Sequence, residues 1–123
     1  MNTKCLENQK TIFIIDDDKR VINSLQKQLK NKYNIIFSNN GNDALNKIEG
    51  DILPDLILCD IMMPEMDGFE FVEKFRENEC LSHIPVIFIT GLNDDSHRFK
   101  GLELGAIDYL TKPFKKEELL LKI

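Results

Sequence analysis

The run Ile12–Phe13–Ile14–Ile15–Asp16–Asp17–Asp18 drives an apolar strand straight into three consecutive carboxylates. Side chains clustered like that repel one another at neutral pH, and more strongly where water is partly excluded. A fold that gathers them at a strand end needs a cation or a cationic side chain to hold there. The same arrangement recurs along the chain. Leu56–Ile57–Leu58–Cys59 leads into Asp60, Val86–Ile87–Phe88–Ile89 leads into Thr90, and Asp108–Tyr109–Leu110–Thr111 ends at Lys112. Acids, a hydroxyl and an amine thus stand at strand C-termini, which in an open parallel sheet form the edge where ligands bind.

Between these strands the apolar residues repeat at helical spacing. Thr11–Ile15 is a continuous apolar run rich in β-branched residues, as expected of a central strand covered on both faces. Val21, Ile22, Leu25 and Leu29 then mark a first helix, with Asp18 as its N-cap. Asn34–Ser38 reads as the second strand, Asn39–Asn40–Gly41 as a turn, and Ala44, Leu45 and Ile48 as a short second helix. The third strand is expected over 55–60, followed by a Pro/Gly-bearing loop over 63–68 and a helix with Phe69, Val72 and Phe75 on one face. Pro85 opens the fourth strand. The polar loop 93–96 caps a fourth helix that stops at Gly105, a left-handed C-cap. The fifth strand is Asp108–Thr111, and a last helix starts near Lys115 with Leu119, Leu120 and Ile123 as its apolar face. Five βα units with short connections imply right-handed crossovers and helices on both faces. The fold class is α/β, a doubly wound five-stranded parallel sheet. A last helix of about two turns is short, so the chain is expected to be cut from something longer, with a linker or effector domain beyond Ile123.

With 123 residues there is room for one domain, expected over 11–123 behind a flexible segment over 1–10. That first segment is polar and lacks the apolar core of a signal peptide, and no apolar run approaches the length of a membrane span, so the expected location is cytoplasmic. The net charge of −5 argues against binding of nucleic acid or an anionic membrane by this domain. Lys115, Lys116 and Lys122 read as a solvated helix face, and His83 and His97 as surface residues. Cys5, Cys59 and Cys80 have no metal-ligand spacing and cannot all pair. Cys59, inside a core strand, reads as a small hydrophobe.

If the first strand is central and the third lies beside it, Asp16 and Asp17 stand next to Asp60, with Thr90 and Lys112 arriving from strands four and five. Three carboxylates with water suit Mg²⁺, which binds one or two carboxylates together with phosphate oxygens. A metal there permits phosphoryl transfer onto the carboxylate beside it.

These residues resemble the receiver domain of two-component response regulators over 11–123. The likeness rests on Ile15–Asp16–Asp17, on Cys59–Asp60–Ile61–Met62–Met63–Pro64 with Met66–Asp67–Gly68, on Thr90–Gly91, and on Tyr109–Leu110–Thr111–Lys112–Pro113–Phe114. It implies a flavodoxin-like (βα)5 sheet of strand order 2-1-3-4-5. It makes Asp60 the phospho-acceptor, taking phosphate from a sensor histidine kinase or phosphotransfer protein. Asp17 and Asp60 would ligate Mg²⁺ with the backbone carbonyl of Met62, and Asp16 would act largely through water. Lys112 would contact the phosphoryl group, Thr90 would swing to hydrogen-bond it, and Tyr109 would follow inward as the switch aromatic. Lys112–Pro113 would be a cis peptide. Apolar Met62 and Leu92 would offer no polar help to hydrolysis. The output would pass through the face of the fourth helix, fifth strand and last helix, carrying Phe99, Lys100, Glu103, Asp108 and Lys116, to a downstream effector or into a phosphorylation-dependent homodimer.

Each assignment competes with a plainer one. Asp16 and Asp17 could cap the first helix, although Asp18 is nearer to it. Asp60 could start a turn, Thr90 is a common strand residue, Lys112 taken alone would be a solvated lysine, and Tyr109 could be packing with a wet hydroxyl. An enzyme, a Mg²⁺-dependent phosphohydrolase with Asp60 as nucleophile, is the alternative function. It needs a second acid shortly after the nucleophile, and Ile61, Met62, Met63 and Pro64 supply none before Glu65. The chain is therefore expected to do chemistry only on itself. A third alternative, a pseudo-receiver making protein contacts alone, gains nothing from an intact Asp16, Asp17, Asp60, Thr90 and Lys112.

Overall fold

The computed structural model describes residues 9–48, 50, 53–91, 103, 108–111 and 119, with the backbone alone at Thr90, Tyr109 and Thr111. Five strands form one parallel sheet: β1 (Thr11–Ile15), β2 (Asn34–Ser38), β3 (Leu56–Asp60), β4 (Val86–Thr90) and β5 (Asp108–Thr111), in the order β2-β1-β3-β4-β5. The order is the expected one. Helices α1 (Lys19–Leu29), α2 (Gly41–Ile48) and α3 (Gly68–Arg76) connect the first four strands. The fourth helix with its Gly105 cap, and the last helix apart from Leu119, lie outside the described residues. So do Lys112, Pro113, Leu92, His97 and Cys5. Among the described residues no helix is long and apolar enough to cross a membrane.

The apolar strands make sense once their residues are sorted by face. Successive strand side chains point to opposite sides. Phe13, Ile15, Ile57, Cys59, Val86 and Phe88 meet Ala44 and Ile48 of α2 and Phe69, Phe71, Val72 and Phe75 of α3. Ile12, Ile14, Leu58, Ile87, Ile89 and Leu110 meet Ile22, Leu25 and Leu29 of α1, together with Leu119. Both faces are dry, which is why these strands read as unbroken apolar runs rather than alternating ones.

The helix starts are set by short polar side chains. Asp18 is the N-cap of α1, its carboxylate accepting from the Arg20 N–H at 2.9 Å. Asn40, expected to lie in a turn, caps α2: its Oδ1 accepts from the Asp43 N–H at 2.7 Å and its carbonyl from the Ala44 N–H. The helix therefore begins at Gly41. A Cβ built there would meet Met66 Sδ at 2.8 Å, so a larger residue would need the Met66 side chain to shift. Asp67 and Glu70 form a reciprocal capping box at α3.

One strand boundary differs from expectation. The third strand begins at Leu56, because Asp55 is engaged with the start of β1 instead. Its N–H donates to the Thr11 carbonyl and its carboxylate accepts from the Thr11 N–H, both at 2.8 Å. At the far end of α3, Arg76 donates to the carbonyls of Ser82 and Ile84, tying the turn before β4 to the helix.

The capping box yields a stability prediction. Asp67→Ala removes the acceptor of the Glu70 N–H, a bond of 2.9 Å. It should lower stability by about 1 kcal/mol, read as a shift of the urea midpoint at unchanged slope.

Candidate functional site

The acid run divides into three roles at the end of β1. Asp16 continues the ladder one residue beyond the strand, its N–H donating to the Ser38 carbonyl at 3.1 Å. Its side chain is buried, 1% exposed, and Oδ1 accepts from the Asp18 N–H at 2.9 Å. Asp17 is exposed, and Asp18 is spent on the helix. The helix cap is thus Asp18, as expected, and not Asp16 or Asp17.

Register brings the fourth acid to the first two. Ile15 pairs with Cys59 across β1 and β3, so the residues that follow, Asp16 and Asp60, leave the sheet side by side. Asp60 ends β3 and is 5% exposed. One carboxylate oxygen from each of Asp16, Asp17 and Asp60 lies within 4.8 Å of the others. Three hard oxygen donors at that spacing fit a small divalent cation, which offsets repulsion that burial strengthens.

The neighbouring thiol senses the same field. Cys59 is fully buried, and burial first, then the negative charges of Asp60 and Asp16, push its pKa well above the ordinary thiol range. It stays a neutral thiol, with Sγ–H donating to the Asp60 carbonyl at 3.3 Å. Reading it as a small hydrophobe was correct.

The loop after Asp60 is held from two sides. Gly68, first residue of α3, donates its N–H to the Ile61 carbonyl at 2.8 Å. A Cβ at Gly68 would sit 2.4 Å from the Asp60 carbonyl oxygen and 3.0 Å from Ile61 Cα. The start of α3 therefore rests directly on the last peptide of β3, and no larger residue fits. Between them Glu65 takes a φ of 68°, and the Met66 N–H donates to the Pro64 carbonyl at 2.7 Å. A positive φ spanned by a bond two residues long is the rarer, strained form of γ-turn. Met66 is buried under Gly41, whereas Met62 is 59% exposed. Of the adjacent Met62 and Met63, only Met63 is buried.

Gly68 carried no assigned role in the sequence, although it stands in the Met66–Asp67–Gly68 motif. Its signal was there: a glycine directly after the Asp67 cap, at a first helical position that most residues occupy more favourably, points to close backbone approach. Ser38 gave no such signal, because it acts on Asp16 only through its carbonyl.

The remaining site residues are placed in part. Thr90 ends β4 at the same edge, opposite Thr111, and Tyr109 pairs with Phe88; their side chains are outside the described atoms. Lys112 and Pro113 follow β5 outside the described residues.

The response regulator receiver domain family model matches residues 12–123. The chain is 40% identical over 117 residues to histidine kinase P4 of Formosa agariphila, covering 95% of this chain and 8% of that protein. It is 35% identical over 115 residues to the alkaline phosphatase synthesis transcriptional regulatory protein PhoP of Bacillus subtilis, covering 93% of this chain and 47% of that protein. The chain therefore spans less than half the length of either relative. Against the solved structure of the chemotaxis response regulator CheY4 of Vibrio cholerae the TM-score is 0.87 at 28% identity, over 94% of this chain and 96% of that one. The match runs from β1 to the chain's last residue, the sheet order is the expected one, and the paired acids meet at its C-terminal edge: the chain belongs to the receiver domain family of two-component response regulators.

Proposed function

We propose that this domain is a phosphorylation-controlled switch whose acceptor is Asp60. Receiver domains are signalling switches rather than conventional enzymes. The observation that carries the proposal here is the meeting of Asp16, Asp17 and Asp60 at the ends of two adjacent parallel strands.

An Asp60 carboxylate oxygen attacks the phosphorus of a phosphohistidine on a kinase or phosphotransfer partner. The new O–P bond forms as the P–N bond breaks, and the imidazole leaves with the electron pair. Asp17 and Asp60, with the Met62 carbonyl, and Asp16 through water, would hold Mg²⁺, which supplies charge neutralisation for the transferring oxygens. Asp16 is suited to a supporting part, since it is buried and its Oδ1 already accepts from the Asp18 N–H. Lys112 would pair with the phosphoryl oxygens and Thr90 would donate its hydroxyl to them. Thr90 moving toward Asp60 would free space for Tyr109 and reshape the surface of the fourth helix, β5 and last helix, where an effector or a second copy binds. A phosphohydrolase acting on outside substrates is disfavoured, because the first acid after Asp60 is Glu65, exposed on the γ-turn. The domain acts in the cytoplasm, opposite a sensor kinase, with no direct contact to nucleic acid.

Four outcomes test this. With acetyl phosphate and Mg²⁺, mass spectrometry should show one added phosphoryl group, absent in Asp60→Asn; full labelling of that variant would overturn the assignment. Mg²⁺ at about 100 times its dissociation constant should raise stability by about 2.7 kcal/mol. Asp17→Asn should relieve repulsion, raising the melting temperature of the metal-free protein, and should weaken Mg²⁺ binding by about tenfold or more. Unchanged affinity would remove Asp17 as a ligand. Gly68→Ala must displace the Asp60–Ile61 peptide from α3. It should cost about 1–3 kcal/mol of stability and lower Mg²⁺ affinity in parallel, measured by urea titration and by metal titration of the folded variant.

A further inference from the structure

A groove of about 430 Å³ opens beside the free edge of β2, between α1 and α2, and none of the three clustered acids lines it. The volume is that of a ligand-sized site. Ile22 of α1 and Phe37 of β2 supply its apolar surface, and Phe37 is 46% exposed although it belongs to a strand. Ser38 also lines the groove. It is 1% exposed, and its hydroxyl has no hydrogen-bond partner among the described residues. It acts on the Asp43 carboxylate, as the first cause that holds that carboxyl below its usual range.

The charge around the groove is mainly positive, with Lys19 and Lys47 in its lining against the single acid Asp43. From Lys19 to Asn42 the chain carries five cations and no acid, in a protein of net charge −5. Lys19, Asn23 and Lys27 recur every fourth residue and share one face of α1. Arg20, by contrast, is held by Asp18 at 3.2 Å. On the opposite rim the Lys47 ammonium donates to the Phe37 carbonyl at 2.6 Å, pairs with Asp43 at 3.3 Å and lies 5.6 Å from the Phe37 ring centroid. A lysine on an edge-strand carbonyl occupies the acceptor that an added strand would need. The groove is therefore built to take side chains rather than a pairing strand.

We infer that this groove is a docking site for an acidic peptide segment of a partner protein carrying an apolar anchor. The anchor seats between Ile22 and Phe37, and flanking carboxylates meet Lys19 and Lys27. The local positive field steers such a segment toward an otherwise acidic domain. The groove also touches the acid cluster through the backbone, since the Ser38 carbonyl holds the Asp16 N–H. The inference stands on this groove alone and does not depend on Asp60 being the acceptor.

The test is an amide-shift titration of the ¹⁵N-labelled domain with a hexapeptide of Phe-Leu between two glutamate pairs, and with its lysine counterpart as control. The glutamate peptide should give saturable shifts at Lys19, Asn23, Phe37 and Ser38, weakening as salt is raised. The lysine peptide should give none. Lys19→Glu, at an exposed position, and Phe37→Ser should each weaken binding by about tenfold at an unchanged urea midpoint. If Phe37→Ser loses stability, Lys19→Glu alone carries the comparison. Absence of saturable shifts at millimolar peptide, equal shifts from both peptides, or shifts lying elsewhere would overturn the inference. So would the same shifts produced by raising the protein concentration alone, which would assign the groove to a second copy.

Discussion

Everything at the candidate site depends on β1 and β3 lying parallel and in register, with Ile15 opposite Cys59. That pairing sends Asp16 and Asp60 out of the sheet together, and the repulsion it creates is substantial. Two ionised carboxylates about 5 Å apart oppose each other by roughly 3 kcal/mol at an effective dielectric of about 20. The sheet can hold this because both of its faces are dry. A single fully buried isoleucine or phenylalanine contributes about 1.5–3 kcal/mol, and β1 and β3 bury such residues on both sides. Stability made in the middle of the sheet sustains a cluster of like charges at its edge, which a divalent cation would offset.

The loop after β3 shows how backbone contacts extend that control. Gly68 and Gly41 serve the same purpose at two helix starts: each lets another segment approach where a Cβ would collide. Gly68 rests on the Asp60 carbonyl, and Gly41 rests on Met66, which leads into Asp67 and Gly68. The end of β3, the start of α3 and the start of α2 are thereby in series. Glu65 accepts a left-handed backbone in the middle of this chain of contacts, at a cost of about 1–2 kcal/mol. A loop so constrained at both ends presents Asp60 in one geometry rather than several.

β2, the outer strand beside β1, has no second strand neighbour among the described residues and meets that side with Lys47, which covers the Phe37 carbonyl. The same lysine leaves Phe37 half-exposed beside a helix without acids. From Lys19 to Asn42 the chain carries cations alone, whereas Asp16, Asp17 and Asp60 gather at the ends of β1 and β3.

Strand positions, the alternation with helices and the residues at each strand end were legible in the sequence, because apolar runs and helical spacing are local patterns. Asp18 as a cap, Cys59 as a core thiol and the set Asp16, Asp17 and Asp60 followed from them. The β2-β1-β3 order did not follow from local pattern; resemblance to the receiver family implied it, since no property of a single strand says which neighbour it takes. Other features depended on contacts between segments distant in the chain. Asp55 reads as the start of a strand and is instead bound to Thr11, forty-four residues earlier. Asn40 reads as a turn and is a cap because Met66 packs on Gly41 and sets where α2 begins. The sequence by itself determined which side chains reach the sheet's edge, through hydrophobic period and turn chemistry. Only the tertiary structure decided how near their oxygens come, because that distance is set by strand register and by the absence of a Cβ at Gly68.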